Sequence, residues 1–175
     1  MKHPLEPFRY CPRCGSTAFV EKNSRAKICK DCHFQYYLNA VAAVAAFIFS
    51  PDNELLLCTR ANEPHQWSLD LPGGFVDLNE SAEEAIVREI NEELHLAVNN
   101  IHYCFSVPNT YFYADFTVRT LDMFFRVDIS GLSAITCDDD VAQAAFFPLD
   151  AIDVNRIGLP SIKQAVQRLI NESKL

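Results

Sequence analysis

Gly74-Phe75-Val76-Asp77-Leu78-Asn79-Glu80-Ser81-Ala82-Glu83-Glu84-Ala85-Ile86-Val87-Arg88-Glu89-Ile90-Asn91-Glu92-Glu93-Leu94-His95-Leu96 is the stretch from which the rest of the chain can be read. Its spacing predicts a helix from about Ser81 to Leu94. Ser81 is a suitable N-cap, and Glu84 three residues on completes a capping box. At 100° per residue Ala82, Ile86, Val87, Ile90 and Leu94 fall on one side and are expected to face a core. Glu89, Glu92 and Glu93 stand at i, i+3 and i+4, so their carboxylates converge on an adjacent face. Exposed, such like charges cost a few tenths of a kcal/mol per pair. Partly buried and about 4 Å apart, a pair repels by ~4 kcal/mol at an effective dielectric of about 20. A hard divalent cation turns that repulsion into binding, because carboxylate oxygens suit Mg2+ and Mn2+. Taken alone, the cluster reads equally well as a solvated acidic helix face.

The flanking residues decide between these. The pattern Gly74-x5-Glu80-x7-Arg88-Glu89-Ile90-x-Glu92-Glu93-x-His95-Leu96 resembles the 23-residue Nudix box. Every defined position matches except His95, where the family has Gly. Trp67-Ser68-Leu69-Asp70-Leu71-Pro72-Gly73-Gly74 is similar to the family's approach to the box, and the likeness runs from the strand near Ala40 to the last helix. The resemblance implies an α/β fold, a Nudix α/β/α sandwich with a mixed sheet. It implies that Glu89, Glu92 and Glu93 bind Mg2+ or Mn2+, with a backbone carbonyl of Gly73 or Gly74 as a further ligand. Arg88 would pair with the carboxylates and orient Glu89, and Glu80 would support the loop–helix junction. Nudix enzymes hydrolyse a diphosphate joining a nucleoside to another group. Divalent ions neutralise its charge and activate water, and a carboxylate can take the proton. His95 is expected to close the helix in a left-handed conformation, which His adopts more readily than most residues. The cost is about 1 kcal/mol and no ligand is lost.

Outward from the box, Ala40–Phe49 is a short apolar run suited to a strand buried on both faces. Ser50-Pro51-Asp52-Asn53 is a turn cluster, and Glu54–Arg60 a returning strand. Phe75-Val76, Ile101–Ser106, Leu121–Ile129 and Ala145–Phe147 are further strand candidates. A last helix over roughly Pro160–Ile170 carries Pro160 in its first turn and an apolar face of Ile162, Ala165, Val166, Leu169 and Ile170.

Cys11-Pro12-Arg13-Cys14 and Cys29-Lys30-Asp31-Cys32 form two Cys-x2-Cys pairs with fourteen residues between them. Four thiolates can surround one Zn2+ tetrahedrally with no open position, which makes the metal structural. A unit this small needs such a staple. The alternative is four unrelated buried or redox thiols. The pattern resembles a zinc ribbon, so the expected organisation is a ribbon over 1–38 and a Nudix domain over 39–175, with the ribbon packed on its neighbour.

A ribbon before a Nudix domain resembles the NADH pyrophosphatases. These carry a Glu six residues before an aromatic in a late strand; here Asp140 lies six before Phe146. Asp140 is therefore a candidate extra ligand or general base, or else part of a solvated acidic loop with Asp138 and Asp139. The subfamily's dinucleotide motif is mostly absent: in Ser106-Val107-Pro108-Asn109-Thr110-Tyr111 only Ser106, Pro108 and the aromatic Tyr111 correspond. Tyr111 and its neighbours Phe112 and Tyr113 are stacking candidates for a base, or core or interface aromatics. Trp67 is expected to pack rather than stack. Arg60 and Arg119 are candidate phosphate contacts, or ordinary surface arginines.

The 175 residues carry a net charge of -8 and are 49% apolar, which excludes a disordered chain. Residues 1–39 hold seven basic and three acidic residues, and the remainder eight basic and twenty acidic. A main domain this acidic argues against a nucleic-acid partner. Seven cysteines, no secretory core at Met1–Pro7 and an apolar run too short for a bilayer point to a cytoplasmic protein without membrane contact. The expected partner is a small nucleotide-type substrate, and a homodimer is an open expectation. Two alternatives stand beside the hydrolase. One is a ligand-sensing or nucleic-acid-binding regulator, against which the intact glutamate set counts. The other is an RNA-cap hydrolase whose basic ribbon guides RNA.

Overall fold

The computed structural model describes residues 2–113, 116–131 and 135–173, and the chain divides into two compact units, Met1–Ala40 and Val41–Leu175. The first unit is a three-stranded antiparallel sheet of β1 (Phe19–Asn23), β2 (Ala26–Cys29) and β3 (Gln35–Tyr37), in that order. Cys11, Phe19 and Cys29 form its small buried cluster, with Cys32 and Phe34 packed against them.

The second unit is built around β4 (Val41–Ile48). It pairs in parallel with β8 (Phe116–Ser130), which pairs antiparallel with β7 (Ala97–Tyr113), so the sheet order is β4-β8-β7 and the sheet is mixed. A second group, β6-β5-β9, joins β5 (Leu55–Arg60) to β6 (Leu69–Asp70) and β9 (Val141–Phe147). The helices α1 (Ala82–Leu94) and α2 (Pro160–Glu172) cover opposite faces. Successive strand side chains point to opposite faces, and the core divides accordingly. Ala45 and Phe47 of β4 with Leu55 and Leu57 of β5 pack beside Ile162 and Val166 of α2. Val44, Ala46 and Ile48 with Leu56 and Cys58 pack beside Ile86, Ile90 and Leu94 of α1. The unbroken apolar run of β4 thus has a cause: it is buried on both sides, as the α/β/α sandwich requires.

Ser81 caps α1 with a complete capping box to Glu84, and His95 ends it at φ 53°, ψ 35° with its N–H on the Asn91 carbonyl. Three expectations need correction. Val87 does not face the core; it is 41% exposed, and Ala85 is buried in its place. It sits at the edge of the apolar stripe, beside an open groove of about 790 Å³ lined in part by Leu96 and Val98. Phe75-Val76 is not a strand but a single bridge from Phe75 to Ala43. β7 and β8 are much longer than the apolar segments that marked them: their ladder continues through polar pairs such as Asn109 with Thr120, and carries two bulges in β7 near its start.

Candidate active site

Two glycines bring the loop after β6 against both β4 and α1. Gly73 has φ 142°, and a Cβ there would lie 2.1 Å from the Val44 carbonyl oxygen. A Cβ on Gly74 would lie 2.5 Å from Glu89 Oε1. At Gly73 backbone blocks any larger residue, whereas a side chain at Gly74 would instead displace the Glu89 carboxylate. The Val44 N–H donates to the Gly74 carbonyl at 2.9 Å. That carbonyl is therefore engaged in the sheet. The Gly73 N–H donates to Glu93 Oε2 at 2.9 Å, so the loop grips the most deeply placed glutamate of α1.

Glu93 is only 5% exposed. Burial pushes its carboxyl up to about 9, the Gly73 N–H opposes, and the charges of Glu89, Asp70 and Asp140 add to the rise. Glu89 is also raised, first by burial and then by Glu92 and Asp139, against the pull of Arg88. Arg88 organises the group. Its Nε and Nη2 donate to the two Glu80 oxygens at 2.8 and 2.9 Å, Nη1 to Glu89 at 2.8 Å and Glu92 at 3.0 Å, and Nη2 also to the Phe75 carbonyl at 3.0 Å. Glu80 in turn accepts the Asp77 N–H, and with Arg88 these bonds hold its carboxyl below the usual range. Glu92 is half exposed and accepts from the Arg88 guanidinium.

Asp140, in the turn just before β9, reaches the same region, and its charge bears on Glu93. The acidic loop is tied to the end of α1: the Thr136 and Asp138 N–H groups donate to the carbonyls of Leu94 and Glu93, which the helix leaves without partners. His95 Nε2 lies 3.4 Å from Asp138 Oδ2. Asp140 Oδ1 accepts from Asn62 Nδ2 at 2.7 Å, and its carbonyl from the Ala61 N–H at 2.8 Å. Asn62 could not be found from sequence, because nothing in its neighbours marks a partner 78 positions away.

Arg60, a candidate phosphate contact, is committed elsewhere. It donates to Asp70 at 2.6 Å and to the Pro64 carbonyl at 2.8 Å. Burial raises the Asp70 carboxyl and Arg60 restrains it. Arg119 is exposed on β8. Tyr111 lies in β7 by its backbone, and its side chain, with those of Phe112 and Tyr113, is outside the described residues. Trp67 does not pack; it is 66% exposed. Sequence patterning also missed a buried polar group in which Asp122 accepts from the Thr120 and Ser161 hydroxyls.

In the first unit the four Cys-x2-Cys sulfurs lie within 4.8 Å of one another. Cys11 and Cys32 are 3.6 Å apart and Cys14 and Cys29 3.7 Å. Four sulfurs set tetrahedrally about 2.3 Å from a zinc would be separated by ~3.8 Å, so the thiols fit that ion. The two turns repeat each other: Gly15 N–H donates to Cys11 and His33 N–H to Cys29, with Gly15 and His33 both left-handed. The Cys32 N–H, opposed by burial, draws the Cys29 thiol down to about 7. At Cys14 the Ser16 N–H pulls down, but the Cys32, Cys11 and Cys29 thiols and burial carry it up to about 12. Four adjacent thiols that cannot all ionise unaided are suited to a soft divalent cation.

A mixed sheet between two helices, with a glycine loop folded onto the carboxylates of one of them, matches a known class. The NUDIX domain family model matches residues 39–169. The chain belongs to the Nudix hydrolase family. An ADP-ribose pyrophosphatase of Methanocaldococcus jannaschii is 35% identical over 119 residues, 67% of each chain. An NAD-capped RNA hydrolase NudC of Vibrio atlanticus is 24% identical over 172 residues, 97% of this chain but 60% of that one. The chain therefore spans about three fifths of that relative. The crystal structure of a NUDIX hydrolase from Nitrosomonas europaea superposes with TM-score 0.71 at 24% identity, covering 94% of this chain and 91% of the other.

Proposed function

We propose that this chain is a divalent-cation-dependent hydrolase cleaving the diphosphate linkage of a nucleoside diphosphate derivative of the NADH, ADP-ribose or nucleotide-sugar type. The observation that carries this is Glu93: a buried carboxylate gripped by Gly73 and raised by neighbouring carboxylates, an arrangement unfavourable until positive charge arrives. The residues fit Mg2+ or Mn2+, since Glu89, Glu92 and Glu93 offer hard oxygens. They would hold the ion, with the Gly73 carbonyl as a further oxygen. Such an ion supplies positive charge against the diphosphate and eases deprotonation of water. Arg88 orients Glu89 and steadies Glu92, and Glu80 fixes Arg88. Asp140, held by Asn62, is assigned as the base that takes the proton of the attacking water. Cys11, Cys14, Cys29 and Cys32 are assigned to structural zinc. We place the protein in a reducing, cytoplasmic compartment.

The test is a panel of NADH, ADP-ribose, nucleotide sugars, dinucleoside polyphosphates and nucleoside triphosphates with Mg2+ and with Mn2+. Release of nucleotide from one class, abolished by Glu92→Gln and Glu93→Gln, is expected. Silence across the panel would sink the proposal. Wild-type turnover in Asp140→Asn would remove Asp140 as base.

A second reading, hydrolysis of a dinucleotide cap on RNA, is favoured by one observation. The likeness to the Vibrio atlanticus RNA hydrolase runs over 97% of this chain, so it extends through the first unit as well as the second. Cleavage of capped RNA that weakens steeply with salt, while cleavage of the free dinucleotide does not, would select it.

A further inference from the structure

We propose that Trp67 is a stacking platform for the planar base of the substrate, set beside the diphosphate site by a strained bulge; this rests on the hydrolase reading above. Trp67 has φ 68°, a left-handed conformation that is an outlier for a bulky side chain. The conformation belongs to a bulge. The Trp67 N–H donates to the Arg60 carbonyl at 3.0 Å, and the Arg60 N–H to the Ser68 carbonyl at 3.0 Å, so two residues face one. The first residue of such a bulge is ordinarily glycine. Here a tryptophan occupies it, and its indole is turned outward instead of into the core.

The loop that carries it is braced from within. Arg60 Nε holds the Pro64 carbonyl, Gln66 Nε2 the Ala61 carbonyl, and the Ser68 hydroxyl and N–H both the His65 carbonyl. On one side the loop lies so close to Gly158 that a Cβ there would meet Ser68 Oγ at 2.4 Å. On the other it is clipped to Asp140 through Ala61 and Asn62. Trp67 therefore stands one strand from Arg60, and Arg60 pairs with Val141, next to Asp140. Two strand spacings make about 10 Å. That is comparable to the reach from a diphosphate to the base of the same extended nucleotide. An aromatic carried on a loop whose backbone is already braced binds a base at a lower ordering cost than one on a loose loop.

Trp67 is the chain's single tryptophan, so its fluorescence reports this position alone. Adenosine monophosphate and ribose 5-phosphate, neither containing a diphosphate to cleave, are titrated against the zinc-loaded protein with Mg2+. Saturable quenching by the nucleotide and none by the sugar phosphate is expected. Trp67→Ala should raise KM for the base-bearing substrate about 10- to 100-fold, the range of base–aromatic stacking, with kcat nearly unchanged, and Trp67→Phe should restore most of it. Trp67→Gly should melt no lower than wild type, since glycine suits the bulge, and still lose nucleotide affinity; a merely structural tryptophan would not separate the two. Absence of quenching together with wild-type KM in Trp67→Ala overturns the proposal. Saturable quenching in a protein that hydrolyses no diphosphate would retain the stacking site and overturn only the hydrolase reading.

Discussion

Replacing Glu93 by Gln should make the cation-free protein more stable at pH 8 while abolishing turnover. Glu93 is almost wholly buried, and its carboxyl is carried from an ordinary 4.5 to about 9 in the folded chain. A raised folded value means that the native state holds a proton the unfolded state has released. The associated stability is complete below about pH 4.5 and is lost as pH rises toward 9. Within that window one proton corresponds to about 1.4 kcal/mol per pH unit at most, so between pH 6 and pH 8 up to ~3 kcal/mol is surrendered. For a chain of this size ~1 kcal/mol moves Tm by about 2–4 °C, so the loss is up to about 6–12 °C. Gln carries no titratable charge yet keeps an oxygen for the Gly73 N–H. The assay is a set of thermal melts from pH 6 to pH 8, on protein stripped of Mg2+ by gel filtration without chelator, so that any metal on the four cysteines is left in place. Wild type should lose Tm with rising pH and recover it when Mn2+ is added at many times its Kd, worth about 2.7 kcal/mol at a hundredfold excess. Glu93→Gln should show a shallower slope, the remainder coming from Glu89 and Asp70, and little response to Mn2+. Parallel slopes for the two proteins, or a Glu93→Gln melt at pH 8 below wild type, would refute the reasoning.

Arg88→Ala should lower kcat/KM about 100-fold, because Glu89 and Glu92 lose the guanidinium that aligns them and misplacement of about 1 Å costs that much; steady-state kinetics with a saturating cation checks it. His95→Gly should raise Tm by about 2–4 °C with turnover unchanged, since glycine removes the left-handed strain at the end of α1. If the four cysteines hold zinc as proposed, Cys29→Ser should abolish the zinc read by elemental analysis and leave the first unit accessible to limited proteolysis while the second resists.

What could be read from the sequence was local. The α1 cap and the convergence of Glu89 and Glu93 follow from periodicity and residue chemistry within one helix, and the left-handed His95 from the resemblance to a box that has glycine at that position. The burial of β4 on both faces follows from its unbroken apolar run. Val87 escaped because a residue at the margin of an apolar stripe is placed by its neighbours and not by its angle. Asn62 with Asp140 and Arg60 with Asp70 escaped because each pair joins segments that only the tertiary fold brings together. Trp67 escaped for a different reason: large aromatic residues are usually buried, and only the backbone sign at the bulge turns this one outward.

The parallel pairing of β4 with β8 has a consequence for synthesis. Val41 lies beside Thr120 and Ile48 beside Val127, partners seventy-nine positions apart. At about 5–20 residues per second the ribosome needs ~4–16 s to cover that distance. The cysteine unit lies ahead of it and can close on zinc early, since all four sulfurs have been made by residue 32. The Val41–Ile48 segment then waits, apolar on both sides, for a neighbour not yet translated. Such a segment is open to wrong associations meanwhile. In the nascent chain the interval before β8 emerges is the time when a chaperone has most to protect.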